Sequence, residues 1–211
     1  MPTIVLLNNS TQKALTTLFR MKLFLNLEGT DKQDQRLTML INFVTGFIER
    51  QCRRSFLRQT YTSEVYDGNG HNALILRQFP VSAVSSFQYR NSNDPDDDSW
   101  TTVDTSDYAW YSDGRLKNLP GALSDIPQKY RVTYAAGYLI DFDQENTPAS
   151  HTLPADIEYV CQKLVAAIFN TRRAEGYDDT SIGDQSVTLR KLVMSDPEVR
   201  AILDKYAAPI F

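Results

Sequence analysis

The sequence predicts an α+β fold: a core of three helices, an inserted antiparallel β region and a C-terminal arm. Two long stretches, residues 31–55 and 154–175, carry apolar residues at the i, i+3, i+4, i+7 spacing of an amphipathic helix. Between them, residues 60–138 are rich in Thr, Tyr and Val and are interrupted by turn signals. We therefore expect a helical domain that is interrupted by a β-rich insertion.

The first two helices are expected to form an antiparallel hairpin. A helix is predicted over about residues 12–27, and a longer one follows over residues 31–55 after a short connection. Thr30 and Gln33 form a potential capping box at the start of the longer helix. Helices joined by so short a loop pack antiparallel. Before them, residues 4–7 predict either an edge strand or an arm.

The insertion is expected to be an antiparallel sheet region. Runs rich in β-branched and aromatic residues predict strands over residues 60–66, 73–77, 84–89, 100–103, 108–111 and 130–134. Residues 67–70, Asp-Gly-Asn-Gly, are a turn signal, so the first two of these strands are expected to form a hairpin. Residues 91–99 are polar and acidic and contain Pro95, which predicts a solvated loop.

A third helix and an arm complete the predicted fold. The helix covers residues 154–175, and the arm covers residues 178–211, outside a main domain of residues 1–177. Within this region, residues 178–187 predict a loop, and residues 187–193 predict a strand or an arm. A capping box of Ser195 and Glu198 then predicts a short terminal helix with an apolar stripe of Val199, Ile202 and Tyr206.

The composition restricts the function. The 42% hydrophobic and 23% charged residues are typical of a globular protein. The net charge of −4 argues against a protein whose main task is to bind phosphates, which usually needs a surplus of Lys and Arg. Neither cysteine belongs to a C-x-x-C pair, so both are expected to be small buried side chains in a chain made in the cytoplasm. No secretory leader and no membrane span are expected.

Two motif matches are better explained by local structure than by ligand binding. Residues 68–73 fit G-x-G-x-x-A, but a dinucleotide site needs a helix after the third position, and a β-type run follows here. Asp94, Asp96 and Asp98 have the spacing of calcium-loop ligands, yet Ser99 and Thr105 stand where that loop needs Gly and Glu. We favour a turn and an acidic loop, with weak cation binding as the alternative for the loop.

The sequence contains no motif for nucleophilic, metal or phosphate chemistry. The patterns G-x-S-x-G, H-E-x-x-H and the P-loop are missing. A pair of carboxylates can perform acid–base catalysis without a motif, but nothing favours one pair among the 26 acidic residues. We therefore expect no catalysis and no cofactor. A small carboxylate-dependent enzyme is the alternative.

Several segments, in a fixed order, resemble the head–tail connector (adaptor, head-completion) proteins of tailed bacteriophages. The long helix ends in FIERQCRRSF at residues 47–56, similar to the family pattern I-E-x-x-[CT]-x-R-x-F. A Tyr-Asp-Gly turn at residues 66–68 comes next, and LILRQFPV at residues 74–81 is similar to L-x-L-x-x-x-P-V. Trp100 and Tyr108 precede VTYAAGY at residues 132–138, which is similar to V-x-Y-x-A-G-Y. LPADI at residues 153–157 then resembles P-x-D-[LI].

The resemblance covers about residues 10–175 and implies a structural protein of the virion neck. It implies a ring, of twelve subunits, that adapts the portal of a DNA-filled head to the tail or a stopper protein. Genomic DNA would pass through the channel of this ring without specific binding. The dominant interactions would then be contacts between copies, made head to tail so that the ring closes.

Two groups of residues are candidates for contacts in such an assembly. A partner interface is expected on the terminal helix, at Val199, Ile202, Tyr206 and Phe211; alternatively, this helix folds back on its own domain. A charged ring or channel surface is expected at Arg50, Arg53, Arg54, Asp96, Asp97 and Asp98. The arginines also fit the dipole of a helix end, and a nucleic-acid-binding module is the further alternative function.

Overall fold

The computed structural model describes residues 3–6, 14–140, 152–175 and 182–208, and its α+β class is the one that the sequence predicts. These residues form α-helices and antiparallel β-sheets. The chain divides into two compact units. The β unit consists of Met1–Asn9 and Arg58–Tyr138, and the helical unit of Ser10–Leu57 and Leu139–Phe211.

The described residues of the helical unit form five helices, one of which is not predicted. The helices are α1 (Leu18–Phe24), α2 (Asp34–Cys52), α3 (Ala155–Glu175), α4 (Ile182–Ser195) and α5 (Pro197–Tyr206). α4 occupies residues for which the sequence predicts a loop and then a strand or an arm. That prediction was wrong because a short apolar run fits either period. Leu189 and Val193, four residues apart, are both buried, as helical spacing requires.

α1 begins later than the sequence predicts, and α2 and α5 lack the predicted capping boxes. The side chain of Thr17 caps α1, so this helix begins later than predicted. Gln33 precedes α2 but makes no side-chain capping hydrogen bond, and the predicted box with Thr30 is therefore wrong. α5 is capped by Asp196 instead of Ser195, because the Asp196 carboxylate accepts hydrogen bonds from two backbone N–H groups of the first turn.

The predicted apolar stripes of α2 and α3 form the core of the helical unit. Every member is buried: Leu37, Leu40, Ile41, Val44, Phe47 and Ile48 on α2, and Ile157, Val160, Cys161, Leu164, Val165, Ile168 and Phe169 on α3. The two helices contact each other, and both contact α5. The predicted faces of these helices are confirmed. No helix in the described residues is long and apolar enough to cross a membrane.

Shortening Leu164 to Ala is expected to lower the free energy of unfolding by about 2–5 kcal/mol. The Leu164 side chain is only 2% exposed, so its truncation removes apolar contacts and leaves a cavity. Urea unfolding followed by circular dichroism measures the change. Met194→Ala is the control, because Met194 is 78% exposed and its loss should change stability by less than about 0.5 kcal/mol. Equal unfolding midpoints for Leu164→Ala and the parent would contradict the burial.

Both cysteines are buried free thiols, as predicted, and they are expected to make the helical unit labile to alkali. Burial raises the pKa of Cys52 and of Cys161 from about 9 to about 12. Because folding raises these pKa values, thiols of the unfolded chain lose their protons at a lower pH than those of the folded chain. The buried thiols therefore cost no stability below about pH 9, and the free energy of unfolding falls as the pH rises from about 9 to about 12. Each thiol should cost up to about 1.4 kcal/mol of unfolding free energy per pH unit there.

The pH dependence of unfolding tests this expectation. Stability of the parent and of Cys52→Ala/Cys161→Ala is measured by urea unfolding at several values above pH 9. The variant is expected to lose stability less steeply than the parent, because it has no buried thiol left to ionise. Parallel pH profiles for the two proteins would contradict the assignment.

The β unit contains two antiparallel sheets. Its strands are β1 (Thr3–Leu6), β2 (Gln59–Tyr66), β3 (Ala73–Ile75), β4 (Val81–Arg90), β5 (Trp100–Thr102), β6 (Tyr108–Trp110), β7 (Arg115–Asn118) and β8 (Tyr130–Ala136). The larger sheet has the order β1-β2-β8-β4-β5, and the smaller has the order β3-β7-β6. β1 is thus an edge strand, one of the two predicted alternatives, whereas β7 was not predicted.

The predicted hairpin between β2 and β3 does not form. β2 pairs with β1 and β8, whereas β3 pairs with β7 in the other sheet. The reason lies at Gly68, whose N–H donates to the Ile126 carbonyl at 2.8 Å. A Cβ at this position would lie 1.6 Å from the Ser124 carbonyl oxygen, so only glycine permits the approach. A tertiary contact therefore overrides the local turn signal, and a strand begins where the dinucleotide motif needs a helix.

Candidate assembly surfaces

The acidic loop of residues 91–99 is organised around a buried arginine. Arg90, the last residue of β4, is 6% exposed. Its Nη1 donates to the backbone carbonyl of Asp94 at 3.2 Å and to those of Pro95 and Asp97. Its guanidinium also lies over the Trp100 ring, with Cζ 4.6 Å from the ring centroid. An internal cation thus holds the loop carbonyls together, and the loop is preformed.

The three candidate aspartates of this loop differ in their surroundings. The Asp97 carboxylate accepts hydrogen bonds from the N–H and the hydroxyl of Ser99, at 2.9 and 2.7 Å. Hydrogen bonds from Ser92 and Ser99 hold the pKa of Asp97 below its usual value. Asp96 is exposed, and the side chain of Asp98 is 93% exposed, although its Oδ1 accepts the Trp100 Nε1–H at 2.7 Å and lies 3.8 Å from Nη1 of Arg131. The loop therefore presents the charges of Asp96 and Asp98 to solvent.

The geometry of this loop argues against the calcium-loop alternative. A calcium loop turns its oxygen ligands inwards to the ion, whereas the carbonyls of Asp94, Pro95 and Asp97 turn to the Arg90 guanidinium. The Asp94 carboxylate accepts the Asp96 N–H at 3.0 Å, which is an ordinary Asx turn. Within the described ranges, no three His, Cys, Asp or Glu side chains are grouped so that they can hold a metal ion.

The three candidate arginines at the end of α2 do not form one exposed patch. Arg50 is exposed on the last turn, and Arg53 is an exposed residue with left-handed backbone (φ 53°) that ends the helix. Its Nη2 donates to the Ala208 carbonyl at 3.1 Å. Arg54 is only 4% exposed, and its guanidinium lies over the Phe56 ring at 4.9 Å. Arg54 therefore contributes to packing, and Arg50 and Arg53 carry the accessible charge.

The terminal helix α5 packs on its own unit, as in the second of the two predicted alternatives. Val199 is 1% exposed. The Tyr206 hydroxyl donates to the Asp156 carboxylate of α3 at 2.8 Å. Ile202 is half-buried, and Phe211 lies outside the described residues. A partner interface on these four residues stays a prediction, restricted to the exposed side of α5. These residues and the arginines belong to the helical unit, and the aspartates belong to the β unit.

A buried polar network in the β unit is not predicted by the sequence patterns. Glu64 is 6% exposed, and its Oε2 accepts hydrogen bonds from the hydroxyls of Tyr66 (2.5 Å) and Tyr134 (2.6 Å). Its Oε1 lies 3.0 Å from Nη1 of Arg77. Burial above all raises the pKa of both tyrosines well beyond the usual value, so their hydroxyls remain donors at neutral pH. The network thus joins β2 to β8 through polar contacts inside the β unit.

A β-bulge explains why the patterns do not reveal this network. The pairing of β2 with β8 shifts between Tyr61 and Glu64, and Ser63 has φ 53° within the shift. The Ser63 N–H donates to Oγ1 of Thr133 at 3.0 Å. Strict alternation from the buried Tyr61 assigns Glu64 to the opposite face, but the bulge turns Glu64 and Tyr66 inwards. Sequence alternation alone does not locate an inserted residue.

Chains in solved structures of gene transfer agent (GTA) particles, two of them structures of the neck, have the same fold as this chain. It matches the neck of an empty GTA particle computed with C6 symmetry, with a TM-score of 0.59, 17% identity and coverage of 99% of this chain and 97% of that chain. It matches the virion of a native gene transfer agent (GTA) particle with a TM-score of 0.59, 16% identity and the same coverage. The match to the neck of a native GTA particle computed with C12 symmetry has a TM-score of 0.56, 16% identity and coverage of 100% and 97%.

The sequence identifies the family. The model of the head completion protein family matches residues 14–208. The chain therefore belongs to the head completion protein family, which confirms the resemblance seen in its ordered segments. No curated protein matches the sequence.

Proposed function

We propose that copies of this protein form a ring adaptor in the neck of a phage-like virion, between the portal of the DNA-filled head and the tail or a stopper protein. The observation that carries the proposal is the family match over residues 14–208. The shared fold with proteins of GTA necks, one of them computed with C12 symmetry, supports it. We propose twelve copies at the head–tail junction, assembled after synthesis in the host cytoplasm.

In this ring, genomic DNA passes through the channel without specific binding. The net charge of −4 for each copy suits that role, because repeated acidic subunits do not hold phosphates tightly. We assign the charged surface of the ring to Arg50, Arg53, Asp96 and Asp98, which are exposed. A structural role of this kind needs no chemical step, and a carboxylate-dependent enzyme is therefore not favoured.

The predicted three-helix core of α1, α2 and α3 is proposed to supply the rigid body that copies pack against. An ion pair joins α1 to α3: Nε of Arg20, whose side chain is 41% exposed, lies 2.7 Å from the Glu158 carboxylate, whose side chain is 3% exposed. The Thr16 hydroxyl donates to the same carboxylate at 2.9 Å. A rigid subunit with two different contact surfaces assembles head to tail, and a ring forms when the rotation between neighbours closes. The exposed side of α5 is proposed to contact the portal or the tail.

Cryo-electron microscopy of intact particles tests this proposal. The expected result is a ring of density that fits this fold, between the portal and the tail. A single copy for each particle, or absence from the neck, would contradict the proposal. The nucleic-acid alternative is tested with duplex DNA. Tight, salt-sensitive binding that is lost in Arg50→Glu/Arg53→Glu would favour a DNA-binding module.

A further inference from the structure

One face of the small sheet β3-β7-β6 carries two cations and is exposed at Ile75, Tyr111 and Arg115, whereas its other three residues are half-buried. In one row of this face, Ile75 of β3 lies opposite Arg115 of β7. The N–H of Tyr111, the residue after β6, donates to the Arg115 carbonyl at 2.9 Å. The next row on the same face consists of Ala73, Lys117 and Ala109. Side chains directly opposite in antiparallel strands share a face. We call these six residues the basic sheet face: Ala73, Ile75, Ala109, Tyr111, Arg115 and Lys117.

The basic sheet face has the composition of a protein interface. The other face of this sheet is inside, since Leu74 and Leu116 are 2% and 1% exposed, whereas Ile75 and Tyr111 are 37% and 44% exposed. The Arg115 guanidinium lies over the Tyr111 ring at 4.8 Å. Interfaces are enriched in such aromatic and arginine side chains. A surface of this kind is suited to an acidic protein segment.

The charges on this face are only partly neutralised within the chain. Nε of Arg115 lies 2.7 Å from the Asp113 carboxylate, which leaves the outer guanidinium nitrogens to other partners. Among the described residues, Lys117 makes no ion pair, and no aspartate of the acidic loop lies within 4 Å of either cation. The face therefore retains positive charge for an acidic partner.

The acidic loop and the Arg115–Tyr111 row lie at opposite ends of β4. The turn beside Arg115 lies at the start of β4, where the Val81 N–H donates to the Ser112 carbonyl at 2.9 Å. The acidic loop begins after Arg90, at the other end of this strand. Nine residues of strand span roughly 30 Å. One copy therefore does not pair its own loop with this row, but a neighbouring copy can.

We propose that the acidic loop of one copy docks on the basic sheet face of the next copy in the ring. The loop is preformed by Arg90, so docking costs little ordering, and Asp96 and Asp98 meet Arg115 and Lys117. The two surfaces differ, so the contact is head to tail, the kind of contact that a closed ring needs. This inference rests on the proposed function and names its contact between copies.

Zero-length cross-linking with a carbodiimide tests the contact in intact particles. The reagent joins a carboxylate to an amine only where the two touch, and Lys117 supplies the amine. We expect a product of twice the subunit mass that links residues 96–98 to Lys117. Lys117→Arg keeps the charge but removes the amine, so this product should disappear while the ring still forms. A ring whose cross-links never include Lys117 would overturn the proposal.

Charge reversal provides the second test. Asp96→Lys/Asp98→Lys and Arg115→Glu/Lys117→Glu should each weaken association at least about tenfold, measured by sedimentation, because like charges then face each other. An equal mixture of the two double variants should associate again, because the lysines in the loop of one variant then face the glutamates on the sheet of the other. Asp125→Lys/Glu28→Lys makes the same change at two other exposed sites and is the matched control. Melting curves verify that each variant folds.

The outcomes separate this inference from the proposed function. Absence of any ring in particles contradicts the proposed function. A ring that forms equally well in all the charge variants overturns only the docking surface. If Arg115→Glu/Lys117→Glu loses binding to duplex DNA without a change in association, the basic sheet face contacts nucleic acid, and the proposal is overturned as well.

Discussion

Deletion of residues 196–211 is expected to destabilise the helical unit by about 3–6 kcal/mol. Val199 and Leu203 of α5 are 1% and 4% exposed, and burial of each such side chain contributes about 1.5–3 kcal/mol. The deletion also uncovers the end of α2, where the Cys52 carbonyl accepts the Ala208 N–H at 2.8 Å. The terminal helix is thus part of the folded unit, whereas an arm that serves only a partner could be removed without loss of stability.

Ion pairs contribute less to this expectation than the apolar contacts. Lys163 of α3 lies 2.6 Å from the Asp196 carboxylate, and Lys205 lies 2.8 Å from that of Asp156. These side chains are roughly one-third to two-thirds exposed. Pairs so accessible to water contribute little to stability. They orient α5 on α3, and burial supplies most of the stability.

Thermal unfolding of the deletion variant beside the full chain measures the effect. The single substitution Leu203→Ala tests the same packing and should lower the free energy of unfolding by about 2–5 kcal/mol. The control is Arg200→Ala on the same helix, whose side chain is 68% exposed and should change stability by less than about 0.5 kcal/mol. An unchanged melting temperature together with loss of neck incorporation would restore the interpretation of α5 as a partner-bound arm.

Replacing Glu64 with Ala is expected to destabilise the β unit by about 2–6 kcal/mol. The change removes the acceptor of two buried hydroxyls, those of Tyr66 and Tyr134. A buried donor left without a partner costs about 1–3 kcal/mol. The Arg77 side chain, which is 55% exposed, also loses its ion pair, but water replaces much of that interaction.

A second substitution distinguishes the lost acceptor from a general loss of packing. In the Glu64→Ala background, Tyr134→Phe should cost about 1–3 kcal/mol less than it does in the parent, because the hydrogen bond from Tyr134 to Glu64 is already lost and only the contact with the Tyr66 hydroxyl at 3.2 Å remains. Asp125→Ala, at an exposed position in the same unit, is the matched control. If Tyr134→Phe costs the same in both backgrounds, the hydrogen bonds of Glu64 do not hold the network together.

How well each element was predicted depends on how far along the chain its signal extends. Every residue of the predicted stripes of α2 and α3 is buried because helical periodicity is a local signal, whereas the burial of the polar Thr45 and Glu158 on the same helices was not predicted. α4 was missed because the apolar run of residues 187–193 is too short to distinguish a helix from a strand. The hairpin after β2 was wrong because Gly68 serves a contact with residues 124 and 126 rather than a tight turn.

The candidate assembly surfaces were also predicted only in part. The charged residues were visible in the sequence, but their accessibility was not: Arg54 is buried over Phe56, whereas Arg50 stays exposed. The basic sheet face was missed because it depends on β7, a strand that no pattern predicts. Arg90 was not singled out, since its contacts with the acidic loop depend on how that loop folds back.

The sequence by itself determined the α+β class, the two long amphipathic helices, the β-rich insertion and, through ordered short segments, the family. These depend on periodicity and on residues close together in the chain. Only the tertiary structure decided which strands pair, that a bulge turns Glu64 inwards and that α5 packs on α2 and α3. Those outcomes depend on contacts between residues far apart in the chain, whose free energies no local pattern contains.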